Sequence, residues 1–119
     1  RGRTHQVFTG AAIYRVSDGK MLTELCITDV PMRPYSDEEI KAYVQTGDPM
    51  DKAGAYAIQG KEFHPVERIQ GCYYNVVGLP LCLAVTLLRQ LGAALDSPAA
   101  PEECPNCPLR VESTWISSV

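Results

Sequence analysis

The sequence has no surplus of positive charge: 11 Lys and Arg stand against 14 Asp and Glu, a formal net charge of −3 over 119 residues. Binding a nucleic-acid backbone requires such a surplus, so that class is set aside, although local positive clusters remain. Long apolar runs are missing too. The most apolar stretch, Val76 to Leu88, is broken by Gly78 and Pro80 and falls short of the ~20 residues that cross a bilayer. No signal-peptide pattern precedes the first strand-like run, though a fragment can lose one. The five cysteines are an odd number without a dense framework of paired spacings. A small disulfide-stapled secreted domain therefore fits poorly, and a reducing cytoplasm is the expected compartment. The first residue is Arg1 rather than methionine, which reads as a piece of something longer. What is present, 45% hydrophobic and 21% charged residues, suits one domain with a core and argues against disorder of the whole chain.

Strand-like composition comes first. Thr4 to Val16 is rich in β-branched and aromatic residues, Ser17-Asp18-Gly19-Lys20 is a turn cluster, and Met21 to Val30 is a second strand candidate. Together they predict an antiparallel hairpin. Pro31 and Pro34 then stop regular pairing, because proline donates no backbone hydrogen bond. Ser36-Asp37-Glu38-Glu39 has the form of a capping box. The helix it opens runs from about Asp37 to Thr46, with Ile40, Tyr43 and Val44 on one face and Gly47 at its end. Asp51 is placed to cap a second short helix over Lys52 to Ile58, which Gly60 closes, although Gly54 lowers its propensity. Phe63 to Cys72 reads as a weakly patterned third strand. Asn75 is an N-cap candidate, and Pro80 suits the first turn of a helix to Leu91, ended by Gly92. That helix has almost no polar face and is expected to be buried against a sheet or in a subunit interface. From Asp96 to Pro108 four prolines imply an extended tail, so the expected division is a body over 1–94 and a tail over 95–119.

The densest group of chemically useful residues runs from Gly47 to Gly60. Asp51 and Lys52 sit beside a predicted helix N-terminus, where free amides bind anions and a lysine adds a mobile charge, and small residues allow close approach. The same residues also read as purely structural: Asp51 capping, Lys52 solvated, Gln59 satisfying a loop.

Four ordered segments carry more information than this pattern: Gly2-Arg3-Thr4-His5-Gln6-Val7-Phe8-Thr9-Gly10, Tyr35-Ser36-Asp37-Glu38-Glu39-Ile40, Asp51-Lys52-Ala53-Gly54-Ala55-Tyr56-Ala57-Ile58-Gln59-Gly60, and Tyr74-Asn75-Val76-Val77-Gly78-Leu79-Pro80-Leu81. In order and spacing they resemble the carboxyl-terminal half of the Maf family of nucleoside triphosphate pyrophosphatases, over about Arg1 to Gly92. The resemblance implies an α/β fold, a mixed twisted sheet with flanking helices as in the Maf and inosine-triphosphatase-like proteins, and a cleft between two lobes. It also implies a homodimer, a nucleoside triphosphate substrate and a divalent metal, generally magnesium. The family splits the triphosphate into the monophosphate and pyrophosphate, which makes physical sense as attack of water on the α-phosphorus with a carboxylate as base.

Within the resemblance, Gln59 occupies the position that helps set base preference. Glutamine there goes with dTTP and UTP, glutamate with the 7-methyl-GTP branch. A carboxamide offers both donor and acceptor to the imide edge of thymine or uracil. Lys52 is the second substrate-side candidate, with ordering of the cleft loop through an ion pair to Asp51 preferred over direct phosphate contact. Asp51, Gly54 and Tyr56 are expected to shape the cleft.

The family's Ser-x-Ser-Pro-Arg-Arg phosphate loop, its following glutamate and the Ala-Asp-Thr segment with the catalytic aspartate match nothing in this sequence. Asp18, Asp29, Asp48 and Asp51 fit none of those motifs, so no catalytic residue and no metal ligand is assigned. The expectation is the carboxyl-terminal part of a pyrophosphatase whose other part is truncated, cleaved or supplied by another chain. The rival reading is a non-catalytic nucleotide-binding or assembly module built from the same fold. Cys104-Pro105-Asn106-Cys107 has the spacing of a zinc or redox pair, but zinc wants about four ligands, and Cys72 and Cys82 supply two more only if the tail folds back over the last helix. Idle thiols or a tail disulfide are the alternatives. Cys26 reads as a small core residue, His5 as structural and His64 as an exposed loop residue.

Overall fold

The computed structural model describes residues 1–60 and 62–96. Strand β1 (Thr4–Arg15) and strand β2 (Lys20–Pro31) pair antiparallel along their whole length, from Thr4 opposite Pro31 to Arg15 opposite Lys20. The reversal falls in the predicted turn cluster. Gly19 N donates to Arg15 O at 2.9 Å. The Asp18 carboxylate accepts from Arg15 Nε at 2.8 Å and from the Lys20 amide at 3.2 Å. The Arg15 guanidinium, helped by that amide, holds the Asp18 carboxyl well below the usual carboxylate range.

The strand expected over Phe63–Cys72 is reduced to two single bridges, Asp29 with Gln70 and Met32 with Val66. Proline explains the shortfall. Pro31 and Pro65 enter this pairing only as acceptors, from Glu67 N at 3.0 Å and Arg33 N at 2.7 Å, so a continuous ladder cannot form.

Helix α1 (Asp37–Gln45) carries both halves of the capping box: Ser36 Oγ accepts from Glu39 N at 3.2 Å, and Glu39 Oε2 accepts from Ser36 N at 2.8 Å. The Ser36 amide, with Arg33 beside it, lowers the Glu39 carboxyl pKa. As predicted, Gly47 follows the end of the helix, at φ +75°.

The helix expected over Lys52–Ile58 does not form. Two 3-10 turns, Asp48–Asp51 and Ala53–Ala55, stand in this region instead, and the second makes no side-chain cap bond. Gly54 (φ +76°) and Ala55 (φ +63°) are both left-handed. Two such residues in succession cannot continue a right-handed helix.

Two helices close the described chain, α2 (Tyr73–Val77) and α3 (Leu81–Gln90). Pro80 caps α3 rather than sitting inside it. Asn75, expected as an N-cap, lies within α2 and is buried. Both helices pack on one face of the hairpin. Thr28, Val30, Asn75, Pro80, Cys82, Leu87 and Leu91 are buried there, so the apolar helix finds the sheet that its composition demanded. On the hairpin's other face Phe8 pairs with Ile27 and Tyr14 with Met21, with Leu25 between them, and all five side chains are exposed.

The fold is therefore mixed α/β, as expected. Of the expected tail over 95–119, Leu95 and Asp96 are described, and the Cys104/Cys107 pair lies outside the described residues. Among the described residues no helix is long and apolar enough to cross a membrane.

Candidate functional site

A cleft of about 570 Å³ opens between β1, the segment following Asp51, and α2. Its walls include His5, Val7 and Thr9 from the strand, Lys52 to Gly54 and Tyr56 to Gln59 on the loop side, and Asn75 to Gly78 at the helix. Such a volume falls in the ordinary range for small-molecule sites, about 300–1,000 Å³. Four of the five residues singled out in the sequence, Lys52, Gly54, Tyr56 and Gln59, line it together. Asp51 does not; it faces a second hollow with Tyr43, Asp48 and Phe63.

The loop wall is built on Lys52. Its ammonium donates to Asp48 O at 2.6 Å, Asp48 Oδ1 at 2.9 Å and Asp51 Oδ1 at 3.2 Å. The three bonds use all three ammonium hydrogens. Tyr43 Oη adds a bond to Asp48 Oδ2 at 2.9 Å, tying the network to α1. The Asp48 carboxyl is lowered by Lys52 first and Tyr43 second, and Lys52 is raised chiefly by Asp48. Asp51 thus pairs with Lys52 as expected, but it is the minor partner. Asp48 is the one sequence reasoning missed. Its signal was present: an aspartate four residues before a lysine is the spacing of adjacent side chains on one helical turn.

Tyr56 closes the site on the strand side. His5 Nε2 and Tyr56 Oη lie 2.9 Å apart, with the rings edge to face at 5.8 Å. Burial raises the Tyr56 phenol pKa, with Tyr35 adding to it. His5 and Tyr56, with Gly54, also border a neighbouring cavity of about 610 Å³ lined by Arg3, Tyr35, Tyr43 and Phe63, so the His5–Tyr56 pair stands between two hollows. His5 has the structural role the sequence suggested: it sits in β1 opposite Val30, and its ring reaches Tyr56 at the edge of the cleft.

Gln59 is exposed, and its carboxamide has no protein partner among the described residues. The helix wall, by contrast, is pinned by Asn75. Its Nδ2 donates to Val7 O at 3.1 Å and Thr28 Oγ1 at 3.1 Å, with Cys26 O at 3.4 Å, and its Oδ1 is buried without a partner. Sequence pattern placed Asn75 at a cap because the contacts that hold it come from strands about 50 or more residues away in the chain. Among the described residues no three His, Cys, Asp or Glu side chains converge closely enough to hold a metal ion.

The α/β hairpin-and-helix body thus carries a cleft with an exposed carboxamide at its wall. The chain matches the family described as Maf-like protein over residues 1–91, and it belongs to that family. It is 53% identical over 95 residues to the dTTP/UTP pyrophosphatase of Dictyoglomus thermophilum, covering 80% of this chain and 49% of that protein. To the dTTP/UTP pyrophosphatase of Geobacter sulfurreducens it is 58% identical over 93 residues, 77% of this chain and 48% of that protein. To that of Clostridium botulinum it is 49% identical over 94 residues, 79% and 48%. The chain spans about half the length of the curated relatives it matches.

Proposed function

We propose that the chain supplies the base-recognition side of a nucleoside triphosphate pyrophosphatase that acts on dTTP or UTP. The observation that carries this reading is Gln59: an exposed, unpartnered carboxamide on a cleft shared with Lys52, Gly54 and Tyr56. The imide edge of thymine or uracil offers an N–H donor flanked by carbonyl acceptors, and a carboxamide can meet both kinds of group. The names of the relatives support the same substrate class.

Lys52 acts in this reading as the support of the loop wall. A phosphate contact would have to displace one of its three bonds to Asp48 and Asp51. The base that activates water on the α-phosphorus belongs to residues outside this chain, as do the ligands of a divalent metal, magnesium by preference. Asp18, Asp48 and Asp51 are committed to Arg15 and Lys52, and Asp29 Oδ1 accepts from Gln6 Nε2 at 2.7 Å. The complete enzyme is proposed to be cytoplasmic and to work as a homodimer or with the remaining half of the domain as its partner.

Titration of the chain with dTTP, UTP and GTP, followed by amide NMR and by pyrophosphate release with magnesium, tests the reading. The expected result is saturable shifts at Tyr56 to Gln59 with the two pyrimidine nucleotides, weaker shifts with GTP, and no pyrophosphate. Pyrophosphate release by the chain alone would overturn the external base. Equal binding of GTP would overturn the role of Gln59. Binding without turnover even after fusion to the missing half of a relative would favour the non-catalytic module.

A further inference from the structure

Behind the cleft, the chain brings together the backbones that carry two cysteines the proposed activity does not use. Cys26 lies on the helix-facing side of β2, and Cys72 immediately precedes α2. Thr28, two residues along the same face of the strand, clamps the Cys72 backbone: its Oγ1 lies 3.1 Å from Cys72 O and 3.1 Å from Cys72 N. Gly71 brings the chain in so closely that a Cβ there would stand 3.2 Å from Ile27 O and Thr28 Cα. The paired amides of Asp29 and Gln70, at 2.9 and 3.0 Å, fix the approach. Held this way, the start of α2 lies against the strand face that carries Cys26, and both thiols are free and half-buried.

We propose that Cys26 and Cys72 form a reversible disulfide latch between β2 and the start of α2 when the protein meets a peroxide. One thiol reduces hydrogen peroxide, becoming a sulfenic acid and releasing water. The second thiol then displaces the sulfenic oxygen as water, the S–S bond forms, and the peroxide has taken the two electrons. A thiol reductant reverses the step by exchange. The bridge closes a loop of about 46 residues that contains α1 and the entire 47–60 segment, and such long loops are where a crosslink restrains the unfolded chain most. One end of the bridge lies three residues before Asn75, so oxidation fixes the helix wall of the cleft to the hairpin. This latch does not depend on the nucleotide reading.

The test is peroxide treatment of the folded 119-residue chain carrying Cys104→Ser and Cys107→Ser, which removes competing thiols. Peptide mass mapping is expected to find Cys26 and Cys72 in one crosslinked peptide pair, two mass units lighter than the reduced pair and restored by dithiothreitol. The oxidised chain is expected to melt roughly 5–15 °C higher than the reduced one. Cys26→Ser and Cys72→Ser should each abolish both changes, and because each variant's reduced melting point is measured alongside, a folding defect is visible separately. Sulfinic acid at either residue, a crosslink from either to Cys82, or free thiols at both after treatment would overturn the latch.

Discussion

The two walls of the cleft are made differently. The strand-and-helix wall rests on regular structure: Asn75 is 2% exposed and bonds to backbone and side-chain groups of both strands, and Thr28 beneath it is fully buried. The loop wall has two short 3-10 turns, two left-handed residues and a charged network that faces solvent. Buried hydrogen bonds resist exchange with water, whereas exposed ion pairs contribute little to stability. The first wall therefore holds the fold, and the second contributes less to it. A contrast of this kind predicts that substitutions on the two walls separate into stability effects and binding effects.

Asn75→Ala should cost the most, about 2–3 kcal/mol, since it strips buried partners from Val7 and Thr28 and leaves a void; urea unfolding of the chain measures it. A loss below about 0.5 kcal/mol would erase the distinction between the walls. Ser36→Ala, which removes half of the capping box at α1 and so weakens the element that carries Tyr43, should cost about 1 kcal/mol in the same assay. Tyr56→Phe breaks the bond to His5 that joins the walls, for about 0.5–1 kcal/mol. A double-mutant cycle with His5→Ala should return a coupling of similar size, and additivity of the two would show that the pair is not a joint.

Acid should loosen the loop wall. The folded pKa of Asp48 lies below the ordinary value near 3.8, so its contribution is intact above that value and is lost as pH falls through the folded one. Amide NMR from pH 5 to pH 2 is expected to report the change at Met50 and Lys52 while the β1–β2 pairing persists. Loss of strand pairing first would reverse the order of the walls. The smallest effect on stability, within about 0.5 kcal/mol, is expected for Gln59→Glu, because the side chain is exposed. The same change should lower affinity for UTP and dTTP relative to GTP, and unchanged selectivity would remove Gln59 from base recognition.

Much of this architecture was legible before any coordinates. The hairpin, its turn and the capping box are local: residues a few positions apart make the bonds, so spacing suffices to find them. The loop helix was misread because alternating alanines suit a helix, while the left-handed turn at Gly54 and Ala55 is a choice the chain makes only when folded. The third strand failed for a reason visible in the sequence, the prolines at 31 and 65, which the weak alternation of Phe63–Cys72 outweighed. Gln59, Lys52, Gly54 and Tyr56 were found through motif order rather than through any pattern that showed them sharing a cavity.

What the sequence determined by itself was the hairpin, the capped helix, the apolar helix, the family and four residues that line the cleft, since these depend on propensity, period and motif spacing. Only the tertiary structure decided how they meet: that Asn75 pins α2 to both strands, that Asp48 rather than Asp51 is the main anchor of Lys52, and that Thr28 holds the Cys72 backbone against the strand face that carries Cys26. Those contacts join segments whose separation along the chain carries no periodic signal, or choose between neighbours that composition cannot tell apart. Packing of the apolar helices against one face of the hairpin supplies the free energy that selects them.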